Sequence, residues 1–170
     1  QECDFELLAN GGFSPLKGFL GSNDYKSVVN EMKLNNGSLW TLPVTLCINE
    51  DKAKSLKNEK YVLLENETGL LLGLMNISQS DSIYIPNISL EASNVYGADD
   101  DNHPYVKILR TYEKEGMIYN VGGTIEMHNL PPRYDFKEYR RTPSQVKEEI
   151  EKKGWKKVIG FQTRNPMHRS

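Results

Sequence analysis

The chain has 170 residues, room for one ordinary domain or one domain with part of another. Apolar residues make up 38% and charged residues 26%, a balance far from those that forbid a packed core. Lys and Arg number 21 against 23 Asp and Glu, for a net charge of -2; the basic excess of a generic duplex binder is missing, and no nucleic-acid partner is expected.

Gln1-Glu2-Cys3-Asp4 opens without an initiator Met or a basic-then-apolar leader, so a missing true N-terminus is expected. No window approaches the ~18 consecutive apolar residues of a membrane span, and no membrane partner is expected. Cys3 and Cys47 offer neither a disulfide framework nor paired zinc-ligand spacing, and read as reduced thiols of an intracellular protein. Asn10-Gly11-Gly12 and Pro15 to Gly18 predict tight turns, anchored by Phe13, Leu16, Phe19 and Leu20. Ser22-Asn23-Asp24 supply N-cap candidates for a helix to about Lys33, with Tyr25, Val28, Val29 and Met32 at helical spacing. Asn35-Asn36-Gly37 ends it, and the helix should pack on a sheet.

From Trp40 to Ile48 the composition turns aromatic and β-branched, which predicts a strand, with Pro43 arguing for an edge or a strand start. Tyr61 to Glu65 and Leu70 to Ser78 read as a hairpin around Asn66-Glu67-Thr68-Gly69, and Ser82 to Ile85 extends or connects it. Such short strands between turn signals suggest a small barrel or sandwich. Asn87 to Asn102 is polar and acidic and is expected to be a solvated loop; its Asp99-Asp100-Asp101 lacks the Gly and terminal Glu of a calcium loop. His103-Pro104 starts a helix that closes at Glu115-Gly116. Met117 to Val121 and Thr124 to Leu130 are two more β segments, with His128 a surface or packing residue. Gly122-Gly123 between them lacks the Lys of a phosphate loop and reads as a turn or bulge.

Leu130-Pro131-Pro132-Arg133 reads as a linker. Thr142 as N-cap, Pro143 at the first position and Gln145 as capping-box partner then start a helix to about Lys153, stopped by Gly154. The mixed charges from Lys147 to Lys157 mark a solvated face. Trp155 to Phe161 predicts a short buried strand, with Trp40 and Trp155 as core anchors. A helix, a strand and a loop cannot bury a core alone, so a second, α/β domain is expected to begin here.

Directly after that strand comes Gln162-Thr163-Arg164-Asn165-Pro166-Met167-His168-Arg169. In open α/β sheets, ligands bind beyond the carboxyl ends of strands. Asn165 can cap a new helix with Pro166 in its first turn, and the free amides there favour an anion. Arg164 offers a planar fork for an oxyanion, Gln162 and Thr163 add neutral donors, and His168 can project toward the same anion. Ordinary polar loop packing is the competing reading. No metal-ligating set emerges.

Gly160-Phe161-Gln162-Thr163-Arg164-Asn165-Pro166-Met167-His168-Arg169 closely resembles the strand and active-site loop of the ATP sulfurylase (sulfate adenylyltransferase) family. Gly11 to Leu20 resembles that family's N-terminal signature. Asp24-Tyr25, Gly37 to Trp40 with Pro43 to Leu46, His103-Pro104, Val121-Gly122-Gly123 and Arg141-Thr142-Pro143 follow in the family's order. The resemblance implies a mixed α/β chain: a β-rich, PUA-like barrel over residues 1–136, then the first helix, strand and loop of a Rossmann-like nucleotidyltransferase domain over 137–170. It implies ATP and sulfate as substrates of a full-length, homo-oligomeric, cytoplasmic enzyme that forms adenosine 5'-phosphosulfate and pyrophosphate. Gln162 and Arg164 would bind sulfate; Gln162, Arg164, Asn165 and His168 would contact ATP; Thr163, Arg164, Asn165 and His168 would be catalytic. Mg2+ would accompany ATP without a ligand in this chain. The family's second His falls one position beyond Ser170, and Ser170 stands where the family usually has Ala, so this chain is expected to be an inactive fragment. A non-catalytic, RNA-binding PUA-like module is the alternative, opposed by the near-neutral charge. Fusion to a kinase acting on the product is a third arrangement, which nothing in this window addresses.

Overall fold

A computed structural model describes residues 1–97 and 102–165. The chain divides into two compact units, residues 1–135 and 136–170. The first is mixed α/β with antiparallel sheets. Its helix α1 (Glu2–Ala9) buries Phe5 and Leu8 and leads through a turn to the short strand β1 (Gly18–Phe19). Helix α2 (Ser22–Glu31) turns Tyr25, Val28 and Val29 inward, the stripe expected from their spacing. Its boundaries differ from expectation. The N-cap is Gly21, which supplies no side-chain cap, and the helix ends at Met32, whose φ of 56° puts it in the left-handed region. Asp24 instead caps the following turn, accepting the Asn35 N–H at 2.7 Å.

The strand expected over Trp40 to Ile48 shortens to β2 (Cys47–Ile48). Pro43 has no N–H to give a ladder, and the Trp40 indole turns back on the Leu42 carbonyl at 2.6 Å. Trp40 still packs on the core, edge-on to Phe13 at 5.7 Å. After α3 (Glu50–Leu56), capped by Asn49, the hairpin forms as read, with β3 (Tyr61–Glu65) and β4 (Leu71–Asn76). Next comes β5 (Ile83–Tyr84).

The acidic stretch after it is not one long loop. Asn87 accepts the Leu90 N–H at 3.0 Å and starts helix α4 (Ile88–Tyr96), which ends at Gly97 with φ 74°. Ile88, Glu91 and Ala92 are its buried residues; the mean polarity of the stretch hid a narrow inward stripe. Asp99 to Asp101 lie outside the described residues. Helix α5 (Pro104–Lys114) follows, with His103 as its N-cap: Nδ1 accepts the Tyr105 N–H at 3.3 Å. Strands β6 (Tyr119–Val121) and β7 (Gly123–Met127) complete the unit, and His128 beyond them is exposed.

The strands make two sheets, a four-stranded one in the order β1-β7-β4-β3 and a three-stranded one in the order β2-β6-β5. Among the described residues, no single sheet closes into a barrel. The chain crosses between sheets at Gly122, whose N–H donates to the Ser82 carbonyl at 2.7 Å. A Cβ at Gly122 would stand 2.1 Å from the Leu20 carbonyl oxygen, and one at Gly18 would stand 1.8 Å from that of Gly123. These glycines serve close backbone approach, consistent with a turn and not a phosphate loop. The core between helices and sheets centres on Val28, Met75 and Val121. No helix among the described residues is long and apolar enough to cross a membrane.

In the second unit, α6 (Pro143–Lys152) has the expected start. Thr142 and Gln145 form a reciprocal capping box, and Gly154 follows with φ 64°. None of its residues is buried. The strand expected over 155–161 does not form: the segment pairs with nothing among the described residues, and Ile159 is 94% exposed. Trp155 is likewise 54% exposed, with the Lys153 ammonium 4.5 Å above its ring, so it is not a core anchor. A strand needs a partner edge, and one helix offers none.

Candidate functional site

The residues singled out for anion chemistry lie together at the end of the second unit. Gln162, Thr163, Arg164 and Asn165 are consecutive and exposed. The Asn165 N–H donates to Thr163 Oγ1 at 3.2 Å, and the Thr163 hydroxyl donates to the Asn165 carbonyl at 3.3 Å. The hydroxyl thus closes a tight local turn at Arg164, a common use of Thr in loops. Arg164 is exposed and has no ion-pair partner among the described residues. His168 and the helix start at Pro166 lie outside the described residues.

This arrangement can meet a planar or tetrahedral oxyanion with one fixed positive fork and adjacent amide donors. Its side chains from Gln162 to Asn165 are all exposed. Among the described residues, no group of three or more His, Cys, Asp or Glu side chains could hold a metal ion. Gln162, Thr163, Arg164 and Asn165 carry no carboxylate of the kind that holds Mg2+.

Family-like motifs in the first unit have structural partners. Tyr25 donates its phenol proton to Glu91 Oε2 at 2.8 Å, and Tyr84 donates to the Leu20 carbonyl at 3.0 Å. Arg133, at the exit of the unit, pairs with Glu6 of α1. A cleft of about 350 Å³ beside the N-terminal signature is lined by Lys17, Asp24, Asp81 and Gly123, and brings no concentrated positive charge to an anion.

Sequence reasoning missed one chemical centre. Glu91 and Asn120 are 3% and 2% exposed. Burial raises the Glu91 carboxyl to about 7, against the Tyr25 hydrogen bond, which lowers it. Burial, then the nearby Glu91, pushes the Cys47 thiol up to about 11, so that cysteine is a poor nucleophile. The Ile88, Glu91, Ala92 and Val95 spacing behind an Asn cap was the available signal.

Comparison with known proteins adds the family. A model described as a PUA-like domain matches residues 1–130, and one described as ATP-sulfurylase matches residues 137–170. Over 170 residues, all of this chain, it is 43% identical to the sulfate adenylyltransferase of Kluyveromyces lactis and 40% identical to that of Saccharomyces cerevisiae, covering 32% of each. Against the sulfate adenylyltransferase of Symbiobacterium thermophilum, identity is 39% and the chain covers 41% of that protein. The chain thus spans about a third to two fifths of these relatives. A solved structure described as a hexameric APS kinase from Thiobacillus denitrificans superposes with a TM-score of 0.68 at 24% identity, over 99% of this chain and 28% of that one, a likeness of fold.

Proposed function

The chain belongs to the PUA-like domain family, and from that premise we propose that it is the N-terminal portion of a sulfate adenylyltransferase, carrying one wall of the active site on residues 162–168. The observation that carries this reading is the 43% identity over all 170 residues to a protein of that name. Residues 1–136 would be the PUA-like, barrel-type scaffold. Residues 137–170 would open a Rossmann-like catalytic domain, whose sheet would receive the 155–161 segment as a strand.

The reaction joins a sulfate oxygen to the α-phosphorus of ATP and releases pyrophosphate. Sulfate is a weak nucleophile, so the protein's share is positioning and charge stabilisation. Gln162 and Arg164 would hold sulfate by charge-assisted and neutral hydrogen bonds. Arg164, Asn165, Gln162 and His168 would reach the ATP phosphates, with Thr163 shaping the turn that aims Arg164. Mg2+ would arrive on the nucleotide, and no step here uses a protein-bound ion. A homo-oligomeric full-length protein and a cytoplasmic location go with the same reading and rest on the resemblance.

The test replaces the corresponding segment of the Kluyveromyces lactis enzyme with this chain. The chimera should form adenosine 5'-phosphosulfate from ATP and sulfate, while this chain alone should form none. A folded chimera without activity, or sulfate-dependent turnover by the isolated chain, would overturn the reading.

A further inference from the structure

Residues of helices α4 and α5 and of strands β2 and β6 line a small cavity. Ile88 and Glu91 from α4, Leu109 from α5, and Thr45, Cys47 and Asn120 from the sheet side line it. Its volume of about 10 Å³ approaches the room that one water molecule needs, and holds nothing larger. Most of the wall is apolar, and Thr45, Glu91 and Asn120 are among its polar members.

Asn120 sits mid-sheet, with Cys47 and Tyr84 as its register partners on either side. The Tyr84 hydroxyl spends its proton on the Leu20 carbonyl at 3.0 Å. Asn120 lines the cavity, and its side chain carries one amide oxygen that can only accept. That oxygen is fully buried and has no hydrogen-bond partner among the described residues. An unmet buried acceptor costs about 1–3 kcal/mol, so a donor is called for.

The other wall holds the matching chemistry. Glu91 accepts the Tyr25 hydroxyl of α2 at 2.8 Å and shares the cavity wall with Cys47 of β2 and Tyr112 of α5, while Tyr84, Tyr96 and Tyr105 lie within electrostatic reach. All are neutral acids near pH 7, and none is a base. Burial raises the Glu91 carboxyl to about 7, so below that pH it holds its proton and can donate. We infer that one buried water molecule occupies this cavity and bridges the carboxyl group of Glu91 to the side-chain oxygen of Asn120. The water accepts from the protonated carboxyl, donates to Asn120 Oδ1, and has Thr45 as a third polar neighbour, the usual number for an internal water. It ties α4 to the central strand β6 through hydrogen bonds, where the surrounding contacts are apolar.

The test uses the intact chain with labelled methyl groups. Water-to-methyl NOE cross-peaks of the sign given by residence beyond about a nanosecond should appear at Leu109 and Met117, on the cavity wall. They should persist in Glu91→Gln, which keeps a donor, and vanish in Asn120→Leu, which removes the acceptor. Their absence in the parent protein, or their persistence in Asn120→Leu, would overturn the bridge. Should Asn120→Leu fail to fold, a high-resolution crystal structure of the parent decides: a water within hydrogen-bond reach of both side chains supports it, and a dry cavity or a bound cation overturns it.

Discussion

Val28 and Ile159 are both aliphatic residues in well-patterned segments, yet the first is 0% exposed and the second 94%. The difference lies in what each pattern meets. Val28 is on a helix whose stripe faces α4 and two sheets, all within residues 1–135. Ile159 lies in a segment of strand-like composition with no sheet edge in its own unit. Local propensity proposes an element, and a partner surface makes it. The first unit thus buries its own core, while the second displays the candidate site residues.

Substitutions should separate the units sharply. Met75→Ala, at a fully buried core position, should cost about 2–5 kcal/mol by denaturant unfolding, and Ile159→Ala less than about 0.5 kcal/mol. Equal costs would mean that residues 155–161 are packed in solution.

Acidity sharpens the contrast next. The folded Glu91 carboxyl, at about 7 against an ordinary 4.5, binds its proton more tightly than in the unfolded chain. Its contribution is therefore fully present below about pH 4.5 and is lost as pH rises through 7, a span of at most about 3 kcal/mol. Glu91→Gln should flatten the unfolding free energy of the first unit between about pH 5 and 8. A parent curve already flat there would count against a protonated Glu91. In the second unit, the exposed Glu149–Lys153 pair at 2.8 Å should give only a small, salt-screened response.

The smallest effect concerns α6. Its capping box lies in solvent, so Thr142→Ala should destabilise that helix by about 1 kcal/mol without shifting the unfolding of residues 1–135. A shift in the first unit's transition would show that the units unfold together.

Where sequence and structure agree, the signal was local. The Thr142–Pro143–Gln145 cap, the hairpin about Asn66 to Gly69 and the stripe of α2 need only near neighbours to be read. Where they part, a distant partner decides. Helix α4 was hidden because Glu91 looks solvent-facing until Tyr25, far away in sequence, receives it. The Trp40 to Ile48 strand was overestimated because β-branched composition says nothing of the ladder that Pro43 interrupts. The candidate site was legible as residue types, Gln162 to Asn165, and its exposure was not, since the strand before it was expected to be buried. The Asn120 cavity was illegible altogether, because an asparagine in a short strand looks like a surface residue.

The central claim is that the exposed turn at Arg164 is a sulfate-holding element once it stands in a complete enzyme. The most direct measurement is steady-state kinetics of Arg164→Lys in the chimera. A guanidinium grips two sulfate oxygens where an ammonium acts as a point charge. Turnover with sulfate should fall roughly 30- to 1000-fold despite the retained charge, the loss of about 2–4 kcal/mol of transition-state stabilisation. Near-parental turnover by Arg164→Lys would contradict the assignment.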